Sequence, residues 1–301
     1  MKTSRTVTVV AGILLLALFA GSIFSRHKVE NLRGKEATLE EVLYLPSGKT
    51  VKRLSLGYSG LLADIYWTRA VQYFGAKHTV HSTQYALLYP LLDITTDLDP
   101  KLIVVYEYGS VFLSQPPPEG AGQPEKAVTL TEKGIRENPE YWRLYFTLGF
   151  IHYMDLKDPR SAQRAFQKGS EVPGALPWMK VMAARMAERS KDIETSILLW
   201  QGIYETVADK DVRNAARTHL DSLLADRAIT QLEQQVQIYR QRTGTLPASW
   251  GDLIRAKLIP GVPLAPKGEP YQLKANGKVD VEDPTQYRYL GEWQHNNWLP
   301  F

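Results

Sequence analysis

Hydrophobic residues are distributed along this chain in three patterns: one unbroken run, a long helical periodicity, and a broken mixture at the end. The run is Thr6–Phe24, "TVTVVAGILLLALFAGSIF", nineteen residues without a charge, between Lys2/Arg5 and Arg26/Lys28. As a helix it would be roughly 28 Å long, close to the hydrocarbon thickness of a bilayer. A polar stretch follows, then "EEVLYLPSGKTVKRLSLG", in which Leu43–Leu45, a Pro-Ser-Gly turn and Val51–Leu56 predict a short hairpin. From Ser59 to about Arg242 apolar residues recur at three and four, in "LLADIYWTRAVQYFG", "YALLYPLLDITT", "LIVVYEYGSVFL" and onward. This predicts a succession of amphipathic helices, the last of them a long one over residues 211–242. Asp99-Pro100, Asn138-Pro139 and Asp158-Pro159 each predict a helix start, with an Asx cap followed by a residue that has no amide to satisfy. Beyond Arg242 the pattern breaks into "TGTLPASWGDLIRAKLIPGVPLAPKGEPYQLKANGKVDV". A short helix over 249–257 and a hairpin around Asn276-Gly277 are expected there.

The helical stretch repeats. Ala127, Thr131 and Gly134 are matched by Ala162, Phe166 and Gly169, then by Ser196, Trp200 and Ile203, at steps of 35 and 34 residues. Gly149 and Ala183 on the preceding helices are also 34 apart. Gly109 lies 40 before Gly149, the excess matching the loop "SQPPPEGAGQP". Small residues let two helices approach closely, and a bulky one a turn along fills the wedge between successive pairs. Gly149, Ala162, Phe166, Gly169, Ser196 and Trp200 are therefore the expected packing positions.

On these residues the chain resembles the tetratricopeptide repeat family over roughly residues 60–210. "LGFIHY" followed by "SAQRAFQKGSEVP" is the best copy, while "EKAVTLTEKGIRENP" and "ETSILLWQGIYE" are weaker. "DIYWTRAVQYFG" with "YALLYPLLDITTDLDP" is a degenerate earlier unit. His152 stands where the family usually has Tyr, and Thr131 replaces an aromatic. The end of the chain resembles the C-terminal part of type II secretion pseudopilins, although their N-terminal methylation motif is missing here. The whole arrangement is similar to bacterial membrane-anchored tetratricopeptide proteins. The expected fold is thus mainly α, with an N-terminal transmembrane helix, a helical-hairpin solenoid and a small C-terminal α+β module. Its expected divisions are a tail and anchor (1–25), a linker with a short hairpin (26–58), repeats (59–210), a long capping helix (211–242) and the pseudopilin-like module with an aromatic tail (243–301).

Composition narrows the chemistry. A net charge of +4 on 301 residues, without a basic stripe, gives no expectation of nucleic acid. The absence of cysteine removes disulfides, thiolate metal sites and a thiol nucleophile. "SGKT" is not a phosphate loop, because Leu43 occupies the position of the required upstream glycine. His78 and His81 have a spacing that can bind metal, but no third ligand is nearby, and His152 reads as a packing or hydrogen-bonding residue. No nucleophile elbow, zinc-protease or dinucleotide motif occurs. No catalytic residue, cofactor or metal is expected.

The resemblance places the first helix of each hairpin along an inner groove. By phase with Gly149, Phe146, Phe150 and Tyr153 would face it, with Tyr106, Ser110 and Leu113 from the preceding unit and Arg143 and Lys180 close by. The Lys/Arg/Asn set with which some family members grip a peptide carboxylate is missing, so an apolar or helical partner segment is expected. Burial of the same aromatics against neighbouring helices is the alternative reading. The tail, with Tyr287, Tyr289, Trp293, Trp298 and Phe301, is expected to dock on its own array. Residues 6–24 are expected to enter the lipid bilayer of a bacterial inner membrane, with the bulk of the chain periplasmic. A cleaved signal sequence is the other reading of that run, although its apolar core continues past Ala20 with no A-x-A site before a polar start. Function is expected to be that of an interaction scaffold for envelope proteins or, alternatively, a permanent subunit of a secretion, pilus or other membrane complex.

Overall fold

A computed structural model describes residues 46–291. The apolar run Thr6–Phe24, the hairpin strand expected at 43–45, and Trp293, Trp298 and Phe301 lie outside the described residues. Among those described, the chain is mainly helical, and no helix is long and apolar enough to cross a membrane. The described residues divide into two compact units, one comprising residues 46–77 with Gln84–Leu98, the other His78–Thr83 with residues 99–291.

The first unit holds α1 (Gly48–Leu54), most of α2 (Ser59–Thr79) and α3 (Leu88–Leu98). Here the expected hairpin is overturned: the stretch from Val51 to Leu54 is helical. The reason is local, since the Ser47 hydroxyl accepts from the Thr50 amide at 3.2 Å and caps the helix, so Pro-Ser-Gly begins α1 instead of turning a strand. Lys52 Nζ donates to the Asp97 carbonyl at 3.0 Å, and α1 packs on α3. A β-carbon on Gly48 would sit 2.5 Å from the Asp97 side chain, so the contact requires glycine. Most of α3 is buried, while α2 buries only Ala63 and Ala70. The Tyr73 hydroxyl accepts from the Leu87 amide, and the Phe74 and Tyr85 rings lie 5.7 Å apart.

In the second unit α4 (Ile103–Ser114) packs on α5 (Pro124–Glu137), α6 (Trp142–Phe150) on α7 (Pro159–Ser170), and α8 (Trp178–Arg189) on α9 (Ile193–Thr206). Successive pairs join through α5–α6 and α7–α8, and α9 packs on α10 (Lys210–Thr243). All nine small and bulky repeat positions are buried. A β-carbon on Gly149 would lie 2.6 Å from the Phe166 ring, and one on Gly134 2.7 Å from that of Tyr106. At both glycines a neighbouring helix packs its ring directly on the backbone, and at Gly169 a β-carbon would likewise lie 2.7 Å from the Tyr145 Cβ.

Of the three Asx-Pro pairs only Asp158-Pro159 starts a helix, the Asp158 carboxylate accepting from the Ser161 amide at 3.0 Å. Burial raises the pKa of that carboxyl, but its hydrogen bonds from Ser161 outweigh burial and hold it below the usual range. Asp99 instead caps a turn by accepting from the Lys101 amide at 2.9 Å. Asn138 closes α5, and its side-chain amide donates to the carbonyls of Pro100 and Gly134. Both pairs sit in connections a few residues ahead of the next helix.

The last 50 or so described residues fold on the second half of α10. Gly244 ends that helix at φ +76°, in the left-handed region. The Asp252 carboxylate accepts from the Ala248 and Ser249 amides at the start of α11 (Trp250–Arg255). β1 (Gln272–Leu273) pairs antiparallel with β2 (Val279–Asp280) around a turn that has Gly277 at φ +81°. Leu232 and Val236 of α10, with Leu253, Tyr271, Val279 and Tyr287, form the module's core. The Tyr287 phenol donates to Glu269 at 2.6 Å, and burial with that bond pushes its pKa well above the usual tyrosine range.

Candidate protein-docking face

Six aromatic residues fall between Tyr141 and Tyr153, and the helix sorts them. Trp142, Phe146 and Phe150 recur every four residues, so they share one side of α6. Phe146 meets Phe150 at 4.6 Å and Trp142 edge-on at 6.3 Å, and it reaches across to Trp178 of α8, edge-on at 5.2 Å. Behind them lies the fully buried Phe166, 5.4 Å from Phe150. The outer members are half-wet, with Trp178 38% exposed and Met154 47%. The Arg143 guanidinium lies 5.5 Å from the centre of the Trp142 ring, and both Arg143 and Lys180 are exposed. On the neighbouring first helix α4, Tyr108 and Val111 are exposed. The result is an aromatic face with the Arg143 cation at its edge, suited to an apolar segment that also offers acceptors or a carboxylate.

Four of the expected groove residues are not on this face. Tyr106 and Leu113 are fully buried and Tyr153 nearly so. Tyr106 fills the space opened by Gly134, and its hydroxyl donates to the Pro100 carbonyl. Ser110 is buried as well and accepts from the Thr131 hydroxyl at 2.7 Å. Tyr153 moves because Ile151–Asp155 is a π-helical turn, closed by the Leu156 amide on the Ile151 carbonyl. An extra residue in the turn shifts the helical phase, which brings Tyr153 inward and leaves Met154 outside. Phe146 and Phe150 remain on the face half-buried and Arg143 edges it over Trp142, while Lys180 is exposed on α8 two residues past Trp178.

His152 lies on the same π turn, with a buried Nδ1 that has no hydrogen-bond partner. Burial lowers its pKa; Asp158 and Glu132 act the other way. His78 and His81 are exposed, and among the described residues no group of three or more His, Cys, Asp or Glu could hold a metal.

A second cluster went unread in the sequence. The His219 ring is sandwiched between Trp200, 4.1 Å away at 9°, and Tyr289, 3.8 Å away at 8°. Glu188 Oε1 accepts from Trp200 Nε1 at 2.6 Å and lies 2.8 Å from His219 Nδ1. The Ser222 hydroxyl accepts from the Tyr289 amide, and the Asp226 carboxylate from the Gly291 amide at 2.9 Å. Tyr287 and Tyr289 thus dock on the chain's own helices. The available signal was His219, Ser222 and Asp226 at steps of three and four on α10, polar residues all buried beside Ala216 and Leu223.

No protein-family model matches the sequence, and no curated protein matches it significantly.

Proposed function

We propose that this protein is a non-catalytic scaffold of the tetratricopeptide type, tethered to a bacterial inner membrane through Thr6–Phe24, that docks envelope proteins in the periplasm. The observation carrying this reading is the half-exposed aromatic set Trp142, Phe146, Phe150 and Trp178 with Arg143 at its edge. Aromatic residues partly held by neighbours lose little conformational freedom when a partner covers them, and they dominate interface energies. The stacked hairpins α4–α5, α6–α7 and α8–α9, close-packed at small residues, support the repeat part of the reading.

The alternative, a permanent subunit of a secretion or pilus complex, draws support from the small module built on the end of the 34-residue α10. A photo-crosslinking amino acid placed at Arg143 in the full chain, in membranes, separates the readings. A scaffold gives a discrete adduct that Trp178→Ala abolishes and that dilution and washing before crosslinking disperse. A permanent subunit gives an adduct and stoichiometric co-purification that survive the same dilution and washing. An adduct pattern identical to that from Leu198, exposed on α9, would remove this face from either reading.

A further inference from the structure

We propose that the start of the first unit is a second membrane-contacting element, which lays α1 and the first turns of α2 on an anionic lipid surface. This rests on the tethering role proposed for Thr6–Phe24. Leu54, Leu56 and Tyr58 are 73%, 86% and 70% exposed, an unusual outlay of apolar surface for three side chains so close in sequence. Leu61 and Ile65 continue the set on α2 and are also exposed. Leu61 and Ile65 are four apart, so they share one side of α2, with Tyr58 just ahead of its first turn; the fully buried positions of that helix are Ala63 and Ala70.

The charges identify the occupant. Between Pro46 and Ala63 the chain carries Lys49, Lys52 and Arg53 and no carboxylate, and all three cations are exposed. Among the described residues the acidic groups adjoining this stretch are Asp64, exposed on α2, and Asp97, beside Gly48; upstream in the sequence the nearest are Glu40 and Glu41. Cations beside exposed Leu and Tyr form the composition that settles at the headgroup–acyl boundary, where the apolar side chains reach the hydrocarbon and the cations meet lipid phosphates. Twenty-three residues lie between Phe24 and Gly48, a contour of at most about 86 Å. An anchor in the bilayer would therefore keep this element within reach of the same surface and convert its docking into an intramolecular step.

The chain contains no cysteine, so single labels are clean. Leu56→Cys, Leu61→Cys and Leu198→Cys variants of the full chain are spin-labelled. Each is reconstituted in vesicles of phosphatidylcholine, or of phosphatidylcholine with phosphatidylglycerol. Accessibility to oxygen, which partitions into lipid, is compared with that to a water-soluble nickel chelate. Labels at 56 and 61 are expected to become oxygen-accessible and chelate-shielded in the anionic vesicles, with the label at 198 in water in both. Lys49→Glu with Arg53→Glu is expected to return label 56 to water, since each cation near an anionic surface contributes about fivefold in affinity. Chelate access at 56 and 61 in anionic vesicles overturns the proposal. So does shielding from both reagents, which would mean cover by another part of the chain, a second copy or another protein. If the chain does not float with the vesicles at all, the tether itself fails. Added to preformed anionic vesicles, the labelled protein then decides the surface alone, insertion supporting it and water exposure overturning it.

Discussion

At the scale of single residues, the two kinds of helical glycine make opposite predictions. Gly149→Ala places a methyl against the ring of the fully buried Phe166, which has no room to retreat. Overpacking of that kind costs about 1–3 kcal/mol, while helix propensity returns about 1 kcal/mol. We expect a net loss of about 1 kcal/mol. Gly202 lies inside α9 with nothing within 4 Å of its would-be β-carbon, so Gly202→Ala should stabilise by about 0.5–1 kcal/mol. Urea midpoints of the helical circular-dichroism signal read both, and a stabilised Gly149→Ala would refute the close-packing account. The repeat period alone singled out Gly149 and Phe166, because an i, i+34 spacing of small residues is a property of sequence. His152 was legible only as an aromatic-flanked histidine. Its buried, unpartnered Nδ1 depends on the π turn, which leaves no mark in composition. Burial disfavours the charged ring in the folded chain, so the unfolded chain binds more protons below the ordinary histidine pKa of 6.5. The stabilisation contributed by neutral His152 is therefore complete above about pH 6.5 and lost as pH falls through its lowered folded pKa. Replacing it by Gln should flatten that part of the stability–pH curve; an unchanged slope between pH 7 and 5 would show that the ring titrates normally.

At the scale of elements, α8, α9 and α10 are joined to the end of the described chain through one carboxylate. Glu188→Ala leaves the Trp200 indole N–H and the His219 ring without their acceptor in a largely dry site. Losing such an acceptor costs about 1–3 kcal/mol. Glu188→Gln retains an oxygen that can accept from Trp200, so its loss should be clearly smaller. If urea denaturation finds the two variants equally stable, the carboxylate does not join these helices. Element existence was readable almost throughout the middle of the chain, since amphipathic periodicity survives in any order of packing. The misreadings occurred where a side chain, not a period, decides. Ser47 as a cap turned an expected strand into α1, and Asp99 and Asn138 spend their side chains on connections instead of helix starts. Proline after Asx has the same local appeal in a turn as at a helix N-terminus. The Glu188–His219 contact spans 31 residues and two helices, and only tertiary packing brings them together.

At the scale of the whole molecule, what matters is whether the aromatic face exists for a partner or only for the fold, and two tryptophans in the same unit distinguish these cases. Trp200 is 1% exposed and hydrogen-bonded, so Trp200→Ala should cost about 3–5 kcal/mol through the cavity it leaves. Trp178 begins α8 with over a third of its surface in water and meets Phe146 edge-on, so truncation leaves a partly solvated notch instead of a closed cavity. Its stability cost should be about 1–2 kcal/mol, at the low end of what an aromatic contact and half a side chain's burial supply. If the face binds a partner, the same substitution should weaken that complex by at least about 30-fold, the effect of a central aromatic anchor. Phe150→Ala cannot make this distinction, because Phe150 also packs on the buried Phe166 and its loss would reach the core. The sequence phase placed Phe146 and Phe150 on one side but could not tell the half-wet ring from the dry one, since exposure is set by the neighbouring hairpin. Denaturation midpoints of Trp178→Ala and Trp200→Ala, measured beside titration of the partner identified by crosslinking from Arg143, separate the two roles. A Trp178→Ala protein that keeps its stability and also binds the crosslinked partner at full affinity would leave these aromatics a purely structural role.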